Sequence, residues 1–117
     1  MLVAALALFA LAAIVGVYML TRLLRNELPP WLAAVIHGAF AATGLVLLIY
    51  TLATSGVSPA PVLFAAAVIL VIAALAGFLL VSFHARKKAP PRALAFVHAA
   101  AAIAGFLTLA ASTLGVA

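Results

Sequence analysis

Two histidines, His37 and His98, are the residues of this 117-residue chain whose type and spacing could support cofactor chemistry. Each follows a proline pair by seven residues, Pro29-Pro30 and Pro90-Pro91, so each lies roughly 10 Å into a helix that starts at its prolines. Neutral imidazoles ligate haem iron, and ionisable residues at this depth in apolar segments usually face a partner. The pair therefore predicts a metal site, with His37 and His98 as the axial ligands of haem b.

The two histidines belong to an internal repeat in which residues 1–56 and 62–117 align without a gap at a spacing of 61. The alignment matches scarce residue types, because both Pro-Pro pairs and two of the three histidines coincide. Each unit is long enough for two helices, so the second unit keeps the orientation of the first. We therefore expect two tandem, parallel helical hairpins related by a pseudo-two-fold axis along the membrane normal.

Small and basic residues complete the predicted haem site. Glycines at the depth of the histidines are expected to leave room for the edge of a flat macrocycle: Gly16, Gly44, Gly77 and Gly105. Those on the second and fourth helices follow the histidines by seven residues and so share their helix face. Arginines of the adjacent loops are expected to reach the two propionates: Arg22, Arg25, Arg86 and Arg92.

The composition identifies the elements that must position these residues. The chain is 71% hydrophobic and 6% charged, whereas a soluble protein carries about 25% charged residues. A membrane-spanning helix needs about 20 residues, and four apolar stretches meet that length. The sequence predicts an all-α membrane protein, a single domain over 1–117, with four transmembrane helices near residues 2–20, 29–54, 62–83 and 90–113.

The charges predict the orientation of this bundle. All six basic residues fall in the first and third loops, and short cationic loops stay cytoplasmic. Both termini should then lie outside, most simply in a prokaryotic plasma membrane, and nucleic acid is not an expected partner. Glu27 is the single acidic residue and lies in a loop, which argues against an exporter that couples to protons through a carboxylate within the membrane.

Two functional interpretations compete for the histidine pair. The first is a small membrane b-type cytochrome with one haem in the cytoplasmic half, an electron carrier rather than a stand-alone enzyme. It would need a quinone, a redox partner protein or a larger membrane complex. The architecture is similar to that of small b-type membrane cytochromes. The alternative is an accessory or assembly subunit in which the histidines form packing hydrogen bonds. A chlorin or a divalent metal is a third candidate ligand.

His84 is the one histidine without a repeat counterpart, since Leu23 occupies the aligned position. It follows the third apolar stretch and precedes Arg86, so we expect its ring at the wet cytoplasmic interface. A hydrogen bond to a haem propionate or to a quinone is the more specific interpretation.

Overall fold

Four long α-helices make up this structure, a computed structural model that describes residues 1–116. They are α1 (Leu2–Leu24), α2 (Trp31–Thr54), α3 (Pro61–Ala85) and α4 (Arg92–Thr113). Each helix is long and apolar enough to cross a membrane. The shortest has 22 residues, and its length of about 33 Å exceeds a hydrocarbon core of ~30 Å. The fold is therefore all-helical with four membrane-capable helices, as predicted. Ala117, the last residue of the predicted second repeat, lies outside the described residues.

The helices form an elongated bundle of 45 × 21 × 19 Å. Helices α1 and α2 pack as one hairpin, α3 and α4 pack as a second, and α1–α4 and α2–α3 contacts join the hairpins. Helices α2 and α4 therefore lie diagonally across the bundle. The connections 25–30 and 86–91 contain most of the basic residues and lie at one end, which we call the basic end.

The two helices that descend to the basic end finish in the same way. At the end of α1, the Glu27 N–H donates to the Arg22 carbonyl at 3.1 Å, and Asn26 has a positive φ of 61°. At the end of α3, 61 residues later, Lys87 has a φ of 54°. Both are Schellman motifs, which satisfy the last helical carbonyls. Helix α1 runs four residues past its predicted end because long basic side chains can extend from a continuing helix to the aqueous surface.

The proline pairs precede their helices rather than entering the first turn. Pro30 and Pro91 are the N-cap residues of α2 and α4, with extended ψ angles of 144° and 133°. Pro61 is the first residue of α3. Proline suits both positions, because its missing N–H would have no intrahelical partner there.

The packed core lies in the half of the bundle remote from the basic end. Its largest fully buried side chains are Leu48 and Leu109. Gly44 and Gly105 border this core. A Cβ at Gly44 would lie 3.2 Å from the Phe9 ring, and one at Gly105 would lie 2.7 Å from Leu70. These two glycines therefore allow close contact between the helices of each hairpin.

The outer surface of the bundle is apolar. Large exposed hydrophobic side chains occur on all four helices, among them Leu32 and Phe78, and no described polar or charged side chain is fully buried. Thr43 and Thr108 each donate to the carbonyl four residues back at 2.7 Å, which satisfies their hydroxyls without water. Such a surface would contact the lipid bilayer.

Replacing Gly105 with alanine should destabilise the bundle, whereas Gly38→Ala should not. The new methyl group at 105 would overlap Leu70, at a cost of roughly 1–3 kcal/mol, while Gly38 has no such neighbour within 4 Å. Both substitutions gain about 1 kcal/mol from the higher helix propensity of alanine. The difference between their unfolding free energies therefore measures the effect of the contact with Leu70. The measurement is the free energy of unfolding in mixed micelles, followed by circular dichroism. Equal stabilities of the two variants would contradict the close packing at Gly105.

Candidate cofactor site

His37 and His98 face each other across the diagonal of the bundle. Their ring centroids are 6.0 Å apart, and the ring planes are inclined by 77°. One ring comes from α2 and the other from α4, so each hairpin contributes one imidazole. The structure thus brings together the two residues that the sequence singled out as metal ligands.

Each imidazole is held by one backbone carbonyl of its own hairpin. His37 Nδ1 lies 2.8 Å from the Ala12 oxygen on α1, and His98 Nδ1 lies 2.8 Å from the Ala73 oxygen on α3. A carbonyl oxygen can only accept, so Nδ1 must carry the proton in both rings. The remaining nitrogen, Nε2, then has a free lone pair. An Nδ1–H bound to a backbone carbonyl is the arrangement that fixes a histidine for metal ligation through Nε2.

Two glycines make these hydrogen bonds possible. A Cβ at Gly16 would lie 3.0 Å from His37 Cε1, and one at Gly77 would lie 3.1 Å from His98 Cε1. Each glycine is four residues past the accepting carbonyl, on the same helix face. The predicted role of Gly16 and Gly77 was space for a macrocycle, whereas the structure places them directly against the imidazoles. Gly44 and Gly105 lie at the helix contacts described above.

A cavity of about 640 Å³ surrounds the histidine pair in the half of the bundle next to the basic end. All four helices line it, and its side chains are alanines, glycines and larger aliphatic or aromatic residues apart from three histidines. Its volume falls within the range of small-molecule and cofactor sites. The third polar side chain is that of His84.

Arg22 and Arg92 have partners at the basic end. Arg92 Nη2 donates to Asn26 Oδ1 at 3.0 Å, which ties the first connection to α4. Arg22 Nε lies 3.2 Å from Glu27 Oε2, and the Arg22 side chain is partly exposed. Neither side chain lines the cavity. Both arginines lie at the basic end of the bundle, outside the cavity lining.

The other two arginines predicted to reach a propionate are exposed, Arg25 and Arg86. Arg86 Nε donates to the Ser82 carbonyl at 3.1 Å, and its guanidinium lies 4.8 Å from the centre of the Phe83 ring. Neither lines the cavity. All four predicted arginines thus place positive charge near the basic end, and none of them lines the cavity.

His84 occupies a more specific position than the sequence suggested. It lines the cavity, and its ring stacks on Trp31 with centroids 4.2 Å apart and planes inclined by 14°. The available signal was its alignment with Leu23, an apolar residue that also lines the cavity. The accepting carbonyls of Ala12 and Ala73 were also missed, since a backbone acceptor has no side-chain signature.

The donor set limits what the pair can bind. Among the described residues, no cluster of three or more histidine, cysteine, aspartate or glutamate side chains is placed to hold a metal. A metal at this site would therefore take two ligands from the protein and need the others from a bound molecule.

Comparisons of this chain with protein-family models, with curated proteins and with solved structures found no match. Its function is therefore inferred from the residues of the bundle itself.

The imidazole tautomers provide a direct test of this geometry. Both His37 and His98 should give the ¹⁵N NMR pattern of a ring protonated at Nδ1 in the ligand-free protein. Gly16→Ala should change the His37 signals, because the new methyl group meets that ring, and should leave His98 largely unchanged. Gly38→Ala, which has no neighbour to displace, is the matched control. Rings protonated mainly at Nε2 would contradict the carbonyl hydrogen bonds.

Proposed function

We propose that this protein is a small integral membrane b-type cytochrome in which His37 and His98 are the axial ligands of one haem. The observation that carries the proposal is the pair of imidazoles 6.0 Å apart across an apolar cavity, each with its Nδ1 bound to a carbonyl. Cofactor sites in helical bundles are built in this way, from inward side chains on facing helices.

The separation of the rings fits a shared metal. Imidazole nitrogens bind metals at about 2.0–2.1 Å, so two rings that shared one metal ion could have centroids ~6 Å apart, as His37 and His98 do. A macrocycle would also supply the ligands that the protein does not. The apolar walls exclude water, and the positive charge of the basic end favours anionic propionates nearby.

The chain's own residues have defined tasks in this proposal. His37 and His98 would hold the iron, while the Ala12 and Ala73 carbonyls orient the rings and increase the basicity of Nε2. Gly16 and Gly77 admit the rings to those carbonyls. Haem supplies one-electron oxidation and reduction when it is bound. The protein would act as an electron carrier, with a quinone, a redox protein or a larger complex as its partner.

We also propose that the two hairpins are an internal duplication. Equivalent contacts occur in both hairpins at a spacing of 61 residues, and they include the two histidine–carbonyl hydrogen bonds and the two Schellman motifs. Buried positions recur in the same way, as with Ala5 and Ala66 or Leu48 and Leu109. A pseudo-two-fold axis along the bundle would relate the hairpins and pass between the two imidazoles.

An accessory or assembly subunit is the second candidate function, and one observation favours it. The histidine–carbonyl bonds join helices within each hairpin, and polar side chains stabilise membrane helix pairs through such bonds. In that case the cavity would have no redox role, and the protein would act through its surfaces in a larger membrane complex.

The haem proposal predicts a low-spin b-type spectrum for protein purified in detergent from haem-replete cells. His37→Ala and His98→Ala should each abolish that spectrum or convert it to high spin, because one axial ligand is lost. Absorption spectroscopy of the oxidised and reduced forms measures this. His84→Leu is the control that should stay low-spin, since His84 is not a proposed iron ligand. A colourless, folded wild-type protein would favour the accessory subunit.

The proposed orientation is cytoplasmic for the basic end, with both termini outside a prokaryotic plasma membrane. Its basis is that all six Lys and Arg side chains lie in the first and third connections or at the helix ends that adjoin them. Alkaline phosphatase fused after Gly56 or at the C-terminus should be active, and the same reporter inserted after Lys88 should be inactive. Activity only in the Lys88 fusion would reverse the orientation.

A further inference from the structure

His84 is a polar side chain of the cavity to which the haem ligation assigns no role. It lies seven residues beyond Gly77 on α3, so it is roughly 10 Å closer to the basic end than the layer of the histidine pair. Residues around it in the lining are apolar, including Leu28, Pro29 and Leu80. His84 is therefore the polar group in the part of the cavity nearest the basic end, which we call the mouth.

The mouth is where the two hairpins differ in polarity. Most cavity-lining residues have a lining residue of similar character 61 positions away, as with Pro29 and Pro90. Leu23 and His84 are also lining residues 61 positions apart, but they differ in character: Leu23 is apolar, whereas His84 can donate a hydrogen bond. The second hairpin thus brings a hydrogen-bonding group to one side of an otherwise matched, apolar mouth.

The His84 ring is held in place without using its hydrogen-bonding capacity. Trp31 covers one face of the ring at a centroid distance of 4.2 Å, and such parallel stacking fixes the ring plane. Among the described residues, the histidine rings with a protein hydrogen-bond partner are those of His37 and His98. His84 therefore presents a fixed donor to whatever molecule extends from the cavity to its mouth.

The charge around the mouth indicates which group that donor meets. The connections at this end and the adjoining helix termini carry six Lys and Arg side chains against one acidic residue, Glu27, and such a surface attracts anions. The cavity itself is apolar. The ligand that suits both is an apolar body with an anionic edge.

We infer that His84 is the hydrogen-bond donor for a carboxylate at the edge of the cavity's ligand, which on the proposed function is a haem propionate. This inference rests on that function, because the propionate belongs to the same haem that His37 and His98 hold. His84 is a positioning residue: it would fix the edge of the macrocycle while the two other histidines fix its centre.

The test compares haem b with its dimethyl ester, in which both carboxylates are neutralised, in wild-type protein and in His84→Leu. This substitution installs the residue that the first hairpin has at the aligned position. With haem b, His84→Leu should lose haem to an excess of apomyoglobin roughly ten- to a hundredfold faster, the range for a lost hydrogen bond to a charged group. The dimethyl ester can accept only a neutral hydrogen bond through its carbonyl oxygens, so with it the difference between the two proteins should fall to about tenfold or less. Both should remain low-spin.

Leu23→Ala is the matched control at the opposite side of the mouth. It enlarges the cavity without removing a donor, so any effect should be the same for haem b and its ester. Trp31→Leu should accelerate the loss of haem b selectively, because His84 would no longer be held.

Three results would overturn the inference. One is an equal effect of His84→Leu on both haems, which would mean a structural role, and another is no effect on either. The third is unchanged haem loss combined with the disappearance of a bound anionic lipid from the native mass spectrum of His84→Leu, which would assign the anion to a lipid headgroup. A wild-type protein that binds no haem would overturn the proposed function and this inference together.

Discussion

The hydrogen bond between each imidazole Nδ1 and a mid-helix carbonyl is the constraint on which the site depends. In a hydrocarbon environment an unsatisfied polar group costs several kcal/mol, so an imidazole N–H within the bundle must find an acceptor. The Ala12 and Ala73 carbonyls already accept a helical N–H and can accept a second donor through their other lone pair. Glycine four residues later exposes that lone pair to the neighbouring helix. One requirement thus fixes the pairing of helices, the orientation of each ring and the nitrogen that stays available.

The tightly packed part of the bundle and the part with the histidines lie in different halves along its length. Away from the basic end, Leu48, Leu109 and the side chains around Gly44 and Gly105 fill the interior. Close to the basic end, small residues and the histidines border the cavity. Because lipid is as apolar as the helix surfaces, helix association depends on close packing and interhelical hydrogen bonds rather than on hydrophobic burial. The tightly packed half can therefore hold the helices together while the other half stays open.

Much of this arrangement could be predicted from the sequence, and the exceptions have a common cause. Hydropathy and length identified the four helices, and the proline pairs placed each histidine seven residues past the N-cap of its helix. The roles of Gly16 and Gly77 could not be predicted, because the sequence does not distinguish a glycine that makes room for a neighbouring imidazole from one that makes room for a bound ligand. The carbonyls of Ala12 and Ala73 leave no trace in a side-chain pattern. His84 was expected at the cytoplasmic interface, and the sequence could not show that its ring also lines the cavity and stacks on Trp31. Haem itself stays a prediction.

The diagonal placement of the histidines has a consequence for assembly. Each hairpin carries one of the two facing histidines, so a molecule held by both rings would act as a non-covalent cross-link between the hairpins. Its binding energy would count toward hairpin association, by about 2.7 kcal/mol at a free concentration one hundred times the dissociation constant. Without this bridge, the hairpins are joined by the α1–α4 and α2–α3 contacts, by the Arg92–Asn26 hydrogen bond and by the connection between α2 and α3. Loss of such a ligand would lower the stability of the assembled bundle by the same amount.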